Sequence, residues 1–138
     1  ANSYDLFREM DIAAKLSVYR ESKPGVIPAE EIVEMATIGG AKALGLDKKI
    51  GSLEKGKYAD LIALDLNDIG WGPKGAQDPY TALVYAISGM HVTDVMVDGN
   101  WLLREQVLQT IDYSSAVEQM NLDYLRLVEN LHNNEENV

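Results

Sequence analysis

Residues 51–66 read GSLEKGKYADLIALDL and begin with Gly, four residues, Gly and Lys, which is most of the phosphate-binding pattern G-x-x-x-x-G-K-[ST]. A phosphate loop follows a buried strand, precedes a helix whose N-terminus meets the phosphate, and places Ser or Thr after the Lys. Here Tyr58 follows Lys57, and the residues before Gly51 (GLDKKI) suit a helix end and a turn. The apolar run 61–66 predicts a strand. The pattern therefore does not indicate a nucleotide site.

The same segment is better interpreted as a turn that leads into this strand. Gly51 and Gly56 permit positive φ angles. We expect Ile50 and Leu53 to anchor the turn to the core, and we expect three charged side chains of the turn to be solvated. These are Glu54, Lys55 and Lys57.

Helical spacing of apolar residues predicts four helices. The first runs from Tyr4 to about Arg20 with Asn2 or Ser3 as its cap, and a breaker follows at 23–25. The second begins at Pro28, is interrupted at Gly39-Gly40, resumes over 41–44 and ends at Gly45. A short helix covers about 78–87. The last begins near Ser115, where Ser115 and Glu118 form a capping box, and it carries apolar residues at 117, 120, 124, 127/128 and 131.

Three strands are predicted, over 61–66, 91–97 and 101–103. Asp98-Gly99 between the last two suits a type I′ turn, in which both central residues have positive φ. Residues 67–77 form a Gly-rich loop. Helices, a few strands and a final helix make an α+β chain. So small a sheet leaves at least one edge unpaired, which indicates partners outside this chain.

Composition excludes several classes of function. The 138 residues carry a net charge of −10, which disfavours nucleic-acid binding because that requires a basic surface. There is no apolar run of membrane-spanning length. The absence of Cys excludes disulfides and thiolate metal sites and is consistent with a cytoplasmic location. The chain begins at Ala1 and enters a helix almost at once, which together suggest a piece of a longer protein, although processing or cloning explains either feature alone.

No self-sufficient catalytic or metal site is evident in the sequence. The two histidines, His91 and His132, are far apart and have no partner at ligand spacing, so a surface or capping role is favoured over a ligand or base. Asp60 and Asp65 flank the first strand, and exposed acidic residues of this kind are usually solvated surface residues without a role in an active site. For the tryptophans, core packing suits Trp101, whereas Trp71 in the Gly-rich loop is the better interface candidate.

Two stretches, MATIGGAKALGLDKKIGSLEKGKYADLIALDLN (35–67) and VTDVMVDGNWLL (92–103), resemble the C-terminal part of the metal-dependent amidohydrolases. The most similar branch contains methylthioadenosine/S-adenosylhomocysteine deaminases, guanine deaminases and triazine hydrolases. The family patterns ATxxGAxALG, IGSLExGKxADLxxLD and VxVDG occur here in order, and NSYDLFREM (2–10) resembles the segment after the last barrel strand. The resemblance covers about residues 2–112.

The resemblance implies an architecture. Residues 1–48 would be the last helix of a (β/α)8 barrel with connecting helices, 49–112 part of a small composite β-sandwich, and 113–138 a C-terminal helix and tail. The family's metal ligands, an H-x-H, further histidines and an Asp in a GTD motif, are absent here. That Asp would precede Ala1 by a few residues, so Asn2 would be the residue nearest the substrate.

The resemblance also implies an activity, hydrolysis or deamination at a C–N bond of a purine- or triazine-like heterocycle by a metal-bound hydroxide. The metal, zinc or iron, would belong to the full-length enzyme, and this chain alone is predicted to be inactive. Its expected partners are the missing N-terminal part and further copies of itself, joined through exposed strands or helices. The alternative is a non-catalytic structural or oligomerisation module that reuses the sequence.

Overall fold

The computed structural model describes residues 4–21, 27–67 and 78–135, and it is α+β as predicted. The helices are α1 (Leu6–Glu21), α2 (Ala29–Glu34), α3 (Gly40–Ala43), α4 (Pro79–Tyr85) and α5 (Tyr113–Glu135). The strands are β1 (Leu61–Leu64), β2 (Val92–Val97), β3 (Asn100–Arg104) and β4 (Val107–Leu108). A π-helical turn, Met35–Gly39, joins α2 to α3, and a 3-10 turn, Gly89–His91, precedes β2.

The cap of α1 differs from the prediction. The Asp5 carboxylate accepts the backbone N–H groups of Phe7 (3.0 Å) and Arg8 (3.4 Å), which satisfies two of the amides that a helix start leaves unpaired. Asp5 is therefore the capping residue, in place of Asn2 or Ser3, which lie outside the described residues together with the predicted breaker at 23–25.

The helix after Pro28 is not broken at Gly39-Gly40, contrary to the prediction. Both glycines have right-handed helical angles, and the backbone stays helical from Ala29 to Ala43 through the π turn. A Cβ at Gly39 would lie 2.9 Å from the Glu34 carbonyl oxygen, so the turn requires glycine there for steric reasons. The predicted end at Gly45 is confirmed. Gly45 has φ +70°, and the Leu46 amide donates to the Ala41 carbonyl (2.8 Å), as in a Schellman cap.

The described core lies among the helices. Met10 and Ala14 of α1 pack with Ile32 of α2 and Val84 of α4, and all four are buried. Helix α4 begins as predicted, because Asp78 accepts the Thr81 amide N–H (2.8 Å) and Pro79 occupies the first helical position. These three helices form one cluster, and none of the α5 side chains that the structure describes belongs to it.

The four strands form an antiparallel sheet in the order β1-β2-β3-β4. Leu61 is opposite Met96 in the first pair, and Val97 is opposite Asn100 in the second. The predicted type I′ turn is confirmed, since Asp98 and Gly99 have φ of +50° and +75°. Strand β1 ends at Leu64, two residues before the predicted end.

Strand β4 was not predicted. The turn before it has positive φ at two residues that are not glycine, Glu105 (+50°) and Gln106 (+62°). The Asp94 carboxylate accepts the Glu105 amide N–H (3.0 Å), and the Thr93 carbonyl accepts that of Gln106 (2.8 Å). Contacts with β2 therefore hold this turn.

Helix α5 begins two residues before the predicted Ser115. The Asp112 carboxylate accepts the Ser115 amide N–H (3.1 Å) and the Ser115 hydroxyl (2.8 Å). Asp112 is therefore the cap, and the predicted capping box of Ser115 and Glu118 is wrong. In the described part of the chain, no helix combines the length and the apolar character needed to cross a membrane.

Candidate functional site

The segment 51–58 forms the predicted turn. Gly51 and Gly56 have φ of +91° and +98°. The Tyr58 amide donates to the Lys49 carbonyl (2.8 Å), which closes the loop, and strand β1 follows. A helix N-terminus, which a phosphate loop requires, is not at this position. A Cβ at Gly51 would lie 2.7 Å from the Ala41 Cβ, so this glycine also permits close contact with α3.

Two predictions about the turn are wrong. The Leu53 side chain does not anchor it, because Leu53 is 78% exposed. The Lys57 side chain is not solvated, because it is only 11% exposed. Its Nζ lies 2.5 Å from the Ser52 Oγ and 3.2 Å from a Glu54 carboxylate oxygen. The spacing Glu54-x-x-Lys57 within one turn is the signal that indicates this contact in the sequence.

The three side chains form a local hydrogen-bonded cluster. The Ser52 hydroxyl donates to Glu54, and this bond, followed by the contact with Lys57, lowers the pKa of the Glu54 carboxyl. Both effects favour the charged carboxylate. The cluster stabilises the conformation of the turn.

Beside the turn lies an open groove of about 650 Å³, between α3 and β1. Polar groups are few at its surface, and they include Thr37, Ser52 and Asp60. Its apolar lining includes Ala36, Ala41, Leu44, Ile50, Leu53, Leu61 and Ile62. Among the described residues, β1 pairs with β2 alone, and the groove leaves apolar side chains exposed beside it.

The two acids that flank β1 have structural contacts. Asp60 accepts the Asp98 backbone N–H (2.7 Å), which ties the start of β1 to the β2–β3 turn. Asp65 accepts the backbone N–H (2.9 Å) and the side-chain amide (2.7 Å) of Asn67. A third carboxyl, Asp94, has a pKa lowered mainly by the Glu105 amide N–H and then by the Thr93 hydroxyl. These acids stabilise turns.

Of the two roles predicted as alternatives for His91, a surface role and a capping role, the capping role is confirmed. Its Nδ1 lies 3.1 Å from both the backbone N and the hydroxyl of Ser88, at the 3-10 turn. Trp101 is half-buried in β3, and the Arg104 guanidinium lies 5.4 Å from its ring centroid. Asn2 and Trp71 lie outside the described residues, as does the side chain of His132.

Across residues 4–21, 27–67 and 78–135, no group of three or more His, Asp or Glu side chains is arranged to hold a metal ion. The described residues therefore do not fit a divalent metal site, which needs several such ligands converging on one ion.

Comparison with known proteins defines the class. The amidohydrolase family profile matches residues 1–102. The chain belongs to the amidohydrolase family, which confirms the resemblance found in the sequence.

Two similar proteins are both named methylthioadenosine/S-adenosylhomocysteine deaminase. The chain is 38% identical over 130 residues to 5-methylthioadenosine/S-adenosylhomocysteine deaminase 1 of Syntrophus aciditrophicus, covering 94% of this chain and 29% of that protein. It is 41% identical over 110 residues to the deaminase of the same name from Teredinibacter turnerae, covering 80% and 24%. The chain thus spans less than a third of the length of these relatives.

The similar solved structures include two with bound zinc. An adenosine deaminase from Xanthomonas campestris with bound zinc superposes with a TM-score of 0.80 at 32% identity, covering 88% of this chain and 28% of that one. The atrazine chlorohydrolase TrzN of Arthrobacter aurescens, complexed with zinc, gives 0.70 at 24% identity, covering 84% and 25%. The second likeness concerns the fold alone.

Proposed function

We propose that this chain is the C-terminal part of an amidohydrolase that hydrolyses the C–N bond of an amino group on a purine-like heterocycle. The observation that carries the proposal is the 38% identity to a methylthioadenosine/S-adenosylhomocysteine deaminase across 94% of the chain. Several other relatives with the same name are 35–41% identical, which favours this substrate class over triazines.

The chemistry belongs to residues outside the described ones. A divalent metal, zinc or iron, would supply the Lewis acid of the full enzyme, and the preceding part of the enzyme would supply its ligands. The assignment of the metal ligands to the preceding part of the enzyme is supported by the lack of a converging ligand set in the described residues. Asn2 is proposed as the residue of this chain nearest the substrate.

The proposed role of this chain is to complete the enzyme's fold. Residues 1–48 would be the last barrel helix with its connecting helices, 49–112 half of a composite sandwich, and 113–138 a C-terminal helix and tail. Strand β1 is bonded on one side to β2, and Leu44, Leu53 and Ile62 of the groove are at least half exposed. An N-terminal segment that pairs with β1 and covers this groove would bury both surfaces.

The test is a chimera in which this chain replaces the matching 130 residues of the Syntrophus aciditrophicus deaminase. Ammonia release from 5′-methylthioadenosine and S-adenosylhomocysteine is measured, with the parent enzyme and a parent lacking that segment as controls. We expect the chimera to retain turnover within about tenfold of the parent, a loss of about 1.4 kcal/mol in transition-state stabilisation. The truncated parent is expected to be inactive.

Two results would contradict the proposal. A chimera that fails to fold, beside a parent that folds, would show that this chain cannot complete the enzyme and would favour a stand-alone structural module. A folded, zinc-containing chimera without turnover on either substrate would refute the substrate class. In the active chimera, Asn2→Ala is expected to raise KM, and an unchanged KM would remove Asn2 from the substrate site.

A further inference from the structure

The tip of the β2–β3 hairpin carries a chemically reactive pair of residues, Asp98 and Gly99. In an Asp-Gly sequence the amide nitrogen of the glycine can attack the side-chain carboxyl carbon of the aspartate, because the two atoms are held in one chain and close a five-membered ring. A side chain on the second residue hinders this attack, and glycine has none. Asp98 is the only Asp of the chain that precedes a Gly, and no Asn precedes a Gly.

The hairpin tip leaves room for this ring. Asp98 and Gly99 are exposed, and a Cβ at Gly99 would meet nothing within 4 Å. The Asp98 backbone is bonded on both sides, since its N–H donates to Asp60 (2.7 Å) and its C=O accepts the Asn100 side-chain amide (3.1 Å). The Asp98 carboxylate, in contrast, has no hydrogen bond or ion pair with any residue that the structure describes. The group that must react therefore has no competing contact there.

Two hydrogen bonds from the start of β1 restrain the reaction. Asp60 accepts the Asp98 N–H, and the Ala59 C=O accepts the Gly99 N–H (3.2 Å). The second bond occupies the nitrogen that must attack. Ring closure also requires rotation about the Asp98 Cα–C bond, which both hydrogen bonds oppose. The reaction therefore depends on local openings of the contact between β1 and the hairpin tip.

We propose that Asp98 is a site of spontaneous conversion to isoaspartate, at a rate set by the contact between β1 and the hairpin tip. A bond forms from the Gly99 nitrogen to the Asp98 Cγ, and the carboxyl hydroxyl leaves as water with the amide proton. Water then opens the cyclic imide. Cleavage between the nitrogen and Cγ restores Asp98, whereas cleavage between the nitrogen and the Asp98 backbone carbonyl carbon leaves the chain running through Cγ and frees the α-carboxylate. The proposal does not rest on the deaminase activity.

Isoaspartate would alter the hairpin, because it adds a methylene to the main chain of a two-residue turn. Val97 and Asn100 are opposite each other directly beside this turn, and a type I′ turn joins strands in that register only with two residues of normal length. We therefore expect faster hydrogen exchange at the amides of Val97 and Asn100 in the modified chain than in the unmodified chain.

The test follows isoaspartate formation in the 138-residue chain at neutral pH and physiological temperature over several weeks. Peptide mapping with electron-transfer fragmentation locates the modified residue, which has the same mass as Asp, whereas deamidation of an Asn changes the mass. We expect isoaspartate to accumulate at Asp98 faster than at any other Asp. Asp98→Glu should give no isomerised residue at this position, because its carboxyl carbon would have to close a larger ring.

Asp60→Ala and Asp65→Ala are a matched pair that tests the contact with β1. Both acids flank β1, but the Asp65 carboxylate bonds to Asn67 (2.9 Å) and not to the hairpin tip. We expect Asp60→Ala to raise the rate of isoaspartate formation at Asp98 about fivefold, as for the loss of one hydrogen bond, and Asp65→Ala to leave it unchanged. Far-UV circular dichroism checks that both variants keep their fold. In urea, which removes the turn, the wild-type rate should rise at least about tenfold.

Three results would overturn the proposal. They are a native wild type without isoaspartate at Asp98, accumulation at another Asp at the same or a higher rate, and equal rates in Asp60→Ala and Asp65→Ala. If Asp60→Ala loses its fold, the comparison of native and urea-unfolded wild type decides, and equal rates in these two states would overturn the proposed control by β1.

Discussion

Replacement of Gly51 by Ala tests the contact between the 51–58 turn and α3. Gly51 has φ +91°, and Gly56, in the same turn, has φ +98°. A Cβ at Gly51 would lie 2.7 Å from the Ala41 Cβ and 3.0 Å from the Ile38 Cα, whereas a Cβ at Gly56 would meet nothing within 4 Å. Gly56→Ala is therefore a matched control that shares the backbone cost and lacks the clash.

The magnitudes separate the two variants. Placing Ala at positive φ costs about 1–2 kcal/mol in either variant. Gly51→Ala adds the cost of moving α3 away, about 1–3 kcal/mol by analogy with overpacked cores. We expect the free energy of unfolding to fall by about 1 kcal/mol in Gly56→Ala and by about 3 kcal/mol in Gly51→Ala.

Urea denaturation followed by far-UV circular dichroism measures this difference. With a slope of about 2 kcal/mol/M, the Gly51→Ala midpoint should lie about 1 M below that of Gly56→Ala. If the two variants unfold within about 0.5 kcal/mol of each other, the close approach of the turn to α3 does not contribute to stability, and the reasoning is refuted.

Three further predictions concern hydrogen bonds, pH and metal. Asp60→Ala removes the acceptor of the Asp98 N–H (2.7 Å) and should destabilise the sheet by about 1 kcal/mol, with faster hydrogen exchange at that amide. Asp60→Asn should lose less stability, and unchanged exchange in Asp60→Ala would contradict the contact. The Ser115 amide N–H, followed by the Ser115 hydroxyl, lowers the pKa of Asp112 below the ordinary value of an aspartate carboxyl. The stabilisation of α5 is therefore present above that value and is lost as pH falls through the lower folded value. Asp112→Asn should flatten the loss of helix content between about pH 5 and about pH 2, and an unchanged pH profile would count against this cap. Purified chain dialysed after zinc loading should retain no stoichiometric zinc by elemental analysis, and one tightly bound ion per chain would reveal a ligand set outside the described residues.

Local conformational signals were predicted well from the sequence. Positive φ angles define the turns at 51–58 and 98–99 and the helix end at Gly45. Glycine and short polar residues adopt such angles most readily, so their positions in the sequence predict them. The start of α4 depends on the neighbouring pair Asp78-Pro79, which is equally local.

Features that depend on contacts between elements were missed. The turn at Glu105 and Gln106 has positive φ without glycine, because Asp94 and Thr93 of β2 accept its amide N–H groups. No pattern within residues 104–108 carries that information, so β4 was not predicted.

The two errors in the candidate site have different origins. A lysine side chain is usually solvated, but Lys57 is buried because the turn folds so that it contacts Ser52 and Glu54. Leucine is usually a core residue, yet Leu53 is exposed in the open groove beside β1. We expect a second polypeptide segment that covers the groove to bury Leu53.

The need for the rest of the enzyme is tested by ammonia release from the purified 138-residue chain alone, supplied with zinc and offered 5′-methylthioadenosine, S-adenosylhomocysteine or guanine. We expect no release above the rate without protein, because the described residues provide no converging metal ligands. Turnover of any of these substrates by the chain alone would contradict the claim that catalysis requires the rest of the enzyme.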